Sequence, residues 1–595
     1  MATDRELAGG RLVLGLFGAV AGVCLWYLYD AFRDAPEPQR LLLFLIAAAA
    51  GFFGGTLVAT GPVSFPRAAA LSAPLALAGA GLLTWSSLRH DGVEAYLETG
   101  HPVAAWLAIW FMALPFLIAG AMARGGWRDY SALFEQSWSI VVRGATAWIF
   151  TGVFWLVYTL SDTLLGLVGI TLLADLTDHG WFVMGLSGLV LGLGLAVLSE
   201  LSSVLTPSLV LRMLRLLLPV VTAVVAVFLV MVPIRGLDDV FGSLSAAGTL
   251  LAMAVGAITL VTSALDEDDF CATDSPIMRA TAQIMSLLLP VLAALAGWAV
   301  WVRVAQYGWT PDRLMAALAA LAVMLYALLY AVSVALRGGW MARIRAGNTW
   351  MAMGLMGLSV LWLTPVLNPE RISAQSQVAR FESGRVSAEA LDLWTLGREF
   401  GRPGRAALEE LRAMTGHPEH AALLVRLAKL ENAESRVAFE GRGPYGRPNG
   451  DAERNLAARL AGQLRVHPAD AELPEGLLDN QPMHFLRRLR SGCDQTLADG
   501  GAGCVVALVD LADQWPGPEA MIFLAEPGGQ GTRVTMLRRG EAGYQEASQP
   551  TQLGGDLLRL APSDALGAVA AGRFSIGQPS LRALSVEGVE LVPRP

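Results

Sequence analysis

The sequence predicts a mainly α-helical protein, a polytopic membrane bundle of about eleven spans followed by a smaller α+β soluble domain, and three observations carry that prediction. Hydrophobic residues make up 54% of the chain and charged residues only 16%, against about 25% charged in an ordinary soluble domain. Apolar runs of 17 to 23 residues recur as far as residue 367, each long enough to cross a hydrocarbon core of about 30 Å as a helix. Beyond Leu367 the runs stop, and Arg, Asp and Glu recur every few residues.

The spans are expected near 12–29, 41–59, 68–87, 103–121, 145–161, 181–199, 214–232, 247–264, 284–302, 314–336 and 350–367. The stretch Leu164 to Leu176, between Asp162 and Asp178, is apolar too. Its thirteen residues are short for a span and predict an interfacial or re-entrant helix. The first span has no small-residue cleavage site, and Val23 before Cys24 breaks the lipoprotein pattern, so it reads as an uncleaved anchor. Gly18 and Gly22, Gly51 and Gly55, and Gly188 and Gly192 are each spaced four apart, a spacing that lets helix backbones approach closely.

Arginines in short loops stay on the cytoplasmic side. Twelve, from Arg5 to Arg345, fall on the N-terminal side of this layout and six, from Arg33 to Arg313, on the other. The N-terminus is therefore expected in the cytoplasm and the C-terminal domain outside it. Cys493 and Cys504 flank a turn-rich stretch and are positioned to close a small disulfide loop in an oxidising compartment, with two buried free thiols as the alternative. Lys429 is the only lysine among 43 basic residues, and with abundant Ala and Gly this points to a bacterial genome of high GC content. The expected location is a bacterial inner membrane with a periplasmic C-terminal domain.

Three segments are expected: a helical membrane domain over 1–367, an extracytoplasmic helical segment over 368–470 and a small β-rich domain over 471–595. Leu408, Leu411 and Met414 make one apolar stripe and Leu423, Leu424, Leu427 and Leu430 the next, with Gly416 and Pro418 between them. Strands are expected at Cys504 to Asp510, Ala520 to Ala525, Thr532 to Arg538 and Leu581 to Leu591, forming a small antiparallel sheet. The acidic turn holding Asp510, Asp513 and Glu519 lacks the alternating spacing that wraps a calcium ion and reads as a plain hairpin.

Chemistry is nearly silent. A Walker loop needs a lysine after a glycine-rich turn, and Lys429 sits inside a helical pattern. No HExxH, GxSxG, GxGxxG or CxxC is present. Arg143, Asp162, Glu200 and Arg303 fall near expected span ends, which disfavours a proton-driven pump. The loop after the third span carries His90, Asp91, Glu94, Glu98 and His101. As a helix it would gather the acids on one face, able to bind a divalent metal or supply an acid and a base, although a solvated interfacial helix is the simpler reading. Asp30, Asp34 and Glu37 mark the first loop on that side, where membrane glycosyltransferases keep a catalytic carboxylate, but the loop is short. The run Asp266 to Asp269 reads as solvated, and His417 and His420 as a capped, exposed helix start. No metal site, catalytic residue or cofactor is assigned.

Tyr307, Gly308, Trp309, Thr310, Pro311, Asp312 and Arg313 make a good helix start: Thr310 caps, Pro311 takes the first position, Asp312 favours the positive helix end, and the aromatics mark an interface. Asn368 to Arg380 follows the last span, and Gly401, Pro403 and Gly404 precede Ala406 and Leu408. In this order the chain resembles a family of bacterial multi-spanning membrane proteins known only as containing a domain of unknown function, most clearly over 280–412. The resemblance implies the class and transfers no catalytic residues. The expected role is a non-enzymatic envelope sensor, scaffold or assembly factor. The alternatives are a transporter or flippase of an apolar or amphiphilic molecule, and an interface enzyme acting on a lipid-linked substrate through Asp34, Asp91, Glu94 or Glu98. Membrane lipids and an envelope protein are the expected partners; nucleic acid is not.

Overall fold

The computed structural model describes residues 4–34, 39–122, 126–200, 207–235, 246–433, 435–436, 439, 451–474, 476–478, 481, 483–496, 503–511, 517–525, 532–540, 543–546, 565–574, 584–586 and 589–591. Two compact units divide it, Met1–Arg426 and Leu427–Pro595. The first runs α1 (Asp4–Asp34), α2 (Gln39–Ala59), α3 (Phe65–Ser87), α4 (Val93–Glu98), α5 (His101–Met122), α6 (Tyr130–Leu167), α7 (Leu172–Thr177), α8 (Gly180–Glu200), α9 (Pro207–Arg235), α10 (Ala246–Leu265), α11 (Pro276–Tyr307), α12 (Pro311–Ala335), α13 (Trp340–Trp362), α14 (Pro369–Glu382) and α15 (Gly401–Ala413). The division falls within α16 (His420–Asn432).

Among the described residues ten helices are long and apolar enough to cross a membrane. They match the first ten expected spans. The eleventh, expected at 350–367, is α13, which starts earlier with the polar run holding Arg343 and Arg345. It is not among the ten, although Arg345 near one end bonds to the 265–269 loop and Trp362 at the other bonds to His101. Its 23 residues reach about 34 Å at roughly 1.5 Å each. Large apolar side chains such as Trp148, Ile149, Leu167 and Val227 are more than half exposed, a surface suited to lipid rather than water. The stretch 164–176 does not form one short helix. Its start prolongs α6, a 38-residue helix, and its end is α7, only six residues long and far too short to cross.

Inside the bundle, Leu250, Ala254, Ala257 and Val261 of α10 face Met285, Leu289, Leu292 and Ala296 of α11, with Ala327 and Tyr330 of α12, the three-and-four spacing of a buried helical stripe. Two of the three glycine pairs bring backbones together as expected. A methyl at Gly18 would collide with the Gly188 carbonyl oxygen and one at Gly188 with that of Gly18, so α1 and α8 meet backbone to backbone. Gly51 and Gly55 instead make room for the indole of Trp110.

The second unit holds α17 (Asp451–Ala461), β1 (Arg465–His467), α18 (Met483–Cys493), β2 (Cys504–Val509), β3 (Glu519–Ala525), β4 (Thr532–Gly540), β5 (Gly543–Glu546), α19 (Ala565–Ala570) and the short pair β6 (Leu584–Val586) and β7 (Val589–Leu591). The sheet order is β1-β2-β3-β4-β5. It is not wholly antiparallel, because β1, a strand the sequence pattern does not reveal, pairs parallel to β2. β2 alternates between two cores: Cys504 and Val506 pack with Phe485, Leu486 and Leu489 of α18, while Val505, Ala507 and Val509 pack with Leu566 and Val569 of α19. That is why β2 reads as an unbroken apolar run. A disulfide joins Cys493 at the end of α18 to Cys504 at the start of β2. Leu581–Leu591 is two short strands rather than one. The acidic turn does not gather round an ion: Glu519 is buried and accepts the Leu511 N–H at 2.7 Å, and Asp513 lies outside the described residues.

Candidate functional site

Two faces of the first unit can be distinguished, one holding the start of α1 and the other, the far face, holding the 88–100 turn and the helices after Trp362. Arg89 leaves α3 on the far face. Its Nη2 donates at 2.7 Å to both Trp362 O and Thr364 O, carbonyls that the end of α13 leaves without helical partners. Its Nη1 donates to Glu370 Oε2 at 3.2 Å. Glu370 stands in the first turn of α14, which Asn368 caps by accepting the Arg371 N–H at 2.9 Å and Pro369 opens. A carboxylate is favoured there by the helix dipole. Glu370 is 0% exposed and Arg89 8%, so each depends on the other: a buried charge persists only when paired and hydrogen-bonded.

His101, the first residue of α5, completes the cluster. Its Nδ1 accepts the Trp362 indole N–H at 3.0 Å. Because an indole nitrogen only donates, Nδ1 is bare and the imidazole proton sits on Nε2. Nε2 faces Glu370 Oε1 at 3.5 Å, long for a hydrogen bond, and neither atom has another partner among the described residues. Beneath His101 and Trp362 lies an apolar cavity of about 200 Å³ between α5, α12 and α13.

The three segments that carry the family resemblance meet around this cluster. Gln377 of α14 donates to Tyr307 O and Trp309 O, both at 3.1 Å. Arg380 donates to Ala305 O at 3.0 Å and Gln306 O at 2.6 Å, and Arg313 Nη1 to Gly308 O at 2.9 Å. The open carbonyls at the end of α11 are thus closed by side chains of α14 and α12. Thr310 accepts the Arg313 N–H, Pro311 takes the first position of α12 and Asp312 its first turn, as the sequence predicts. Gly308 has φ +77°, and a methyl there would meet the Gln377 and Arg380 side chains. Gly401 has φ +57° and lies so close to Arg89 O and the His90 ring that only glycine fits. Next to it the Arg402 N–H donates to Arg89 O at 2.8 Å.

The sequence-predicted cluster does not form one acidic face. His90 and His101 turn inward and are buried, His90 Nε2 lying 3.1 Å from Glu399 O. Asp91 precedes α4 and pairs with Arg402 and Arg405; the Arg405 guanidinium, with Arg402, holds its carboxyl below the usual range. Glu94 and Glu98 are exposed. Among the described residues no group of three His, Cys, Asp or Glu is placed to hold a metal. Asp30 is half-buried, the Asp34 side chain and Glu37 lie outside the described residues, and the cavity below the cluster is not lined by Asp91, Glu94 or Glu98. Sequence reasoning missed Arg89, Trp362 and Glu370. The available signal was charge placed within a few residues of a span end.

On the opposite face the acidic run is only partly solvated: Asp268 and Asp269 are exposed as expected, while Asp266 and Glu267 are drawn into a clamp. Asp266 is buried and pairs with Arg215. Arg345 donates to Leu265 O at 2.7 Å, Asp266 O at 3.2 Å and Asp269 Oδ1 at 2.6 Å. Glu267 accepts from Ser131 at 2.9 Å. His417 accepts the Glu419 N–H on Nδ1 at 3.2 Å, so its Nε2 donates to Phe381 O at 3.1 Å in a capping role, and α16 begins at His420.

Crossing apolar helices, closed on one face by a buried ion cluster and followed by a small disulfide-tied sheet, define a polytopic membrane protein. Within that class, the model of the family described as Domain of unknown function (DUF4153) matches residues 16–411, well over half of the 595 residues, and the chain belongs to that family. The match takes in α14 and most of α15, so the far-face helices are part of the family domain and not an appendage to it. No curated protein and no solved structure matches the chain.

Proposed function

We propose that this protein is a non-enzymatic scaffold or assembly factor of the bacterial envelope, with α14 and α15 forming a rigid platform on the periplasmic side of the inner membrane. The observation that carries the reading is the Arg89–Glu370 pair. A fully buried charge at the base of α14 pairs with Arg89 just past α3, which in turn bonds the carbonyls at the end of α13, and so fixes the platform helices to the spans as one body, which suits presentation of a surface better than a moving gate. The disulfide and the arginine asymmetry support the orientation. The test places a photo-crosslinking residue at Glu409 or Glu410, exposed on α15, in the full-length chain in intact cells. The same discrete protein adducts from both positions are expected, and lipid adducts alone would refute the reading.

Passage of an amphiphile is a second reading, favoured by one observation. Leu355, Leu358, Ser359 and Trp362 of α13 line the cavity below the cluster, and Asn348, Thr349 and Ala352 line another further along the same helix. Reconstituted protein that accelerates lipid flip-flop in vesicles would favour it; an unchanged rate would remove it.

A further inference from the structure

The second cavity has a volume of about 260 Å³ and is lined from α5, α6, α10, α12 and α13, more room than the roughly 150 Å³ that admits a benzene ring. Its walls combine aromatic rings, among them Phe134, Trp138 and Tyr326, with the neutral polar groups of Tyr130, Thr262 and Asn348. No Arg or Lys is among its described lining residues, and Arg345, three positions before Asn348, bonds to the 265–269 loop. The hydrogen bonds have a direction. Tyr330 OH donates to Asn348 Oδ1 at 2.9 Å and lies 2.8 Å from Thr262 Oγ1. Asn348 Nδ2 in turn donates to Tyr130 OH at 3.4 Å. Tyr130 is an acceptor in that chain, so its own hydroxyl hydrogen is left to give, and its side chain lines the cavity.

We infer that this cavity binds a neutral amphiphile whose head is a hydrogen-bond-accepting carbonyl, taken by the Tyr130 hydroxyl, with the head's flat face against the aromatic rings and the hydrocarbon chain toward Phe116 and Ile258. A phosphate head is disfavoured because no cationic side chain is among the described residues lining the cavity. Two sources present the required chemistry, a prenylated quinone and the ester carbonyl of a diacylglycerol. The site is separate from the far-face cluster, and its failure leaves the platform reading standing.

The test uses the full-length protein in nanodiscs with three diazirine probes: a decyl-chain benzoquinone, a diacylglycerol and a phosphatidylglycerol. Saturable labelling of cavity residues on α6 or α13 is expected from the quinone or the diacylglycerol, displaced by the same unlabelled compound, and whichever labels identifies the source. Tyr130→Phe, which removes only the hydroxyl, is expected to weaken that labelling about tenfold, while Tyr27→Phe, exposed on α1 and outside the cavity lining, leaves it unchanged. The inference is overturned by labelling that does not saturate, by labelling confined to other surfaces, by equal labelling with phosphatidylglycerol, or by a Tyr130→Phe protein that binds as well as wild type. If Tyr130→Phe does not fold, as judged by size exclusion, wild-type displacement and the site of labelling decide.

Discussion

Replacing Glu370 with glutamine keeps the side chain's shape and removes its charge, leaving the Arg89 guanidinium buried with carbonyl partners only. Breaking one side of a buried ion pair costs about 3–5 kcal/mol, and the 0% exposure of Glu370 and 8% of Arg89 put this pair in that regime rather than among surface bridges, which are worth roughly 0–1 kcal/mol. Arg89→Met should cost at least as much, because it also strands Trp362 O and Thr364 O, at about 1–3 kcal/mol for each carbonyl left dry. The Arg89→Met, Glu370→Met double variant removes both charges and retains only the carbonyl loss. It should therefore be more stable than Arg89→Met alone, with a coupling of about 2–3 kcal/mol. Thermal unfolding of the detergent-purified full chain, followed by loss of the monodisperse peak, reads the order: wild type, then the double variant, then Arg89→Met. Additive losses, or a Glu370→Gln protein with the melting point of wild type, would refute the claim that this pair fixes the platform to the spans.

Gly188→Leu should detach α1 from α8, because neither backbone has room to yield; a melting point several degrees lower and accelerated proteolysis of α1 would show it. Cys271 should alkylate slowly although it is exposed: loss of solvation at the sulfur, and then the Glu267 carboxylate that accepts its hydrogen, hold the thiol up to about 11. The thiolate is the reactive form, so at pH 8 the rate should be about 100-fold below that of an ordinary cysteine, and Glu267→Gln should raise it; a normal wild-type rate would sink this. Cys493 and Cys504 should label in intact cells only after reduction if the second unit is periplasmic, whereas free thiols reached only after lysis would reverse the topology. Cys504→Ser should cost the second unit about 2–4 kcal/mol, visible as faster proteolysis within 451–574.

The sequence by itself determined the class of this protein and the order of its apolar helices along the chain, though not every boundary: α6 begins at Tyr130 and α11 at Pro276, ahead of the spans expected from 145 and 284. Lipid is a uniform solvent with one strong demand, that long stretches be apolar and internally hydrogen-bonded, and such a demand is written residue by residue. It also showed the helix start at Thr310, where every capping partner lies within three positions, and the glycine pairs of α1 and α8. Tertiary structure alone decided the rest. Arg89 and Glu370 are 281 positions apart, and neither side chain is distinguishable in the sequence from a solvated loop charge; burial and pairing arise only when α3, α13 and α14 come together. For the same reason His101 read as a partner of Asp91 and Glu94 but faces Glu370, and Asp266 read as solvated but is clamped by Arg215. Local pattern fixes where the chain crosses the membrane, because each span answers to the lipid alone. Which charges meet depends on helix packing, and that is a property of the assembled bundle.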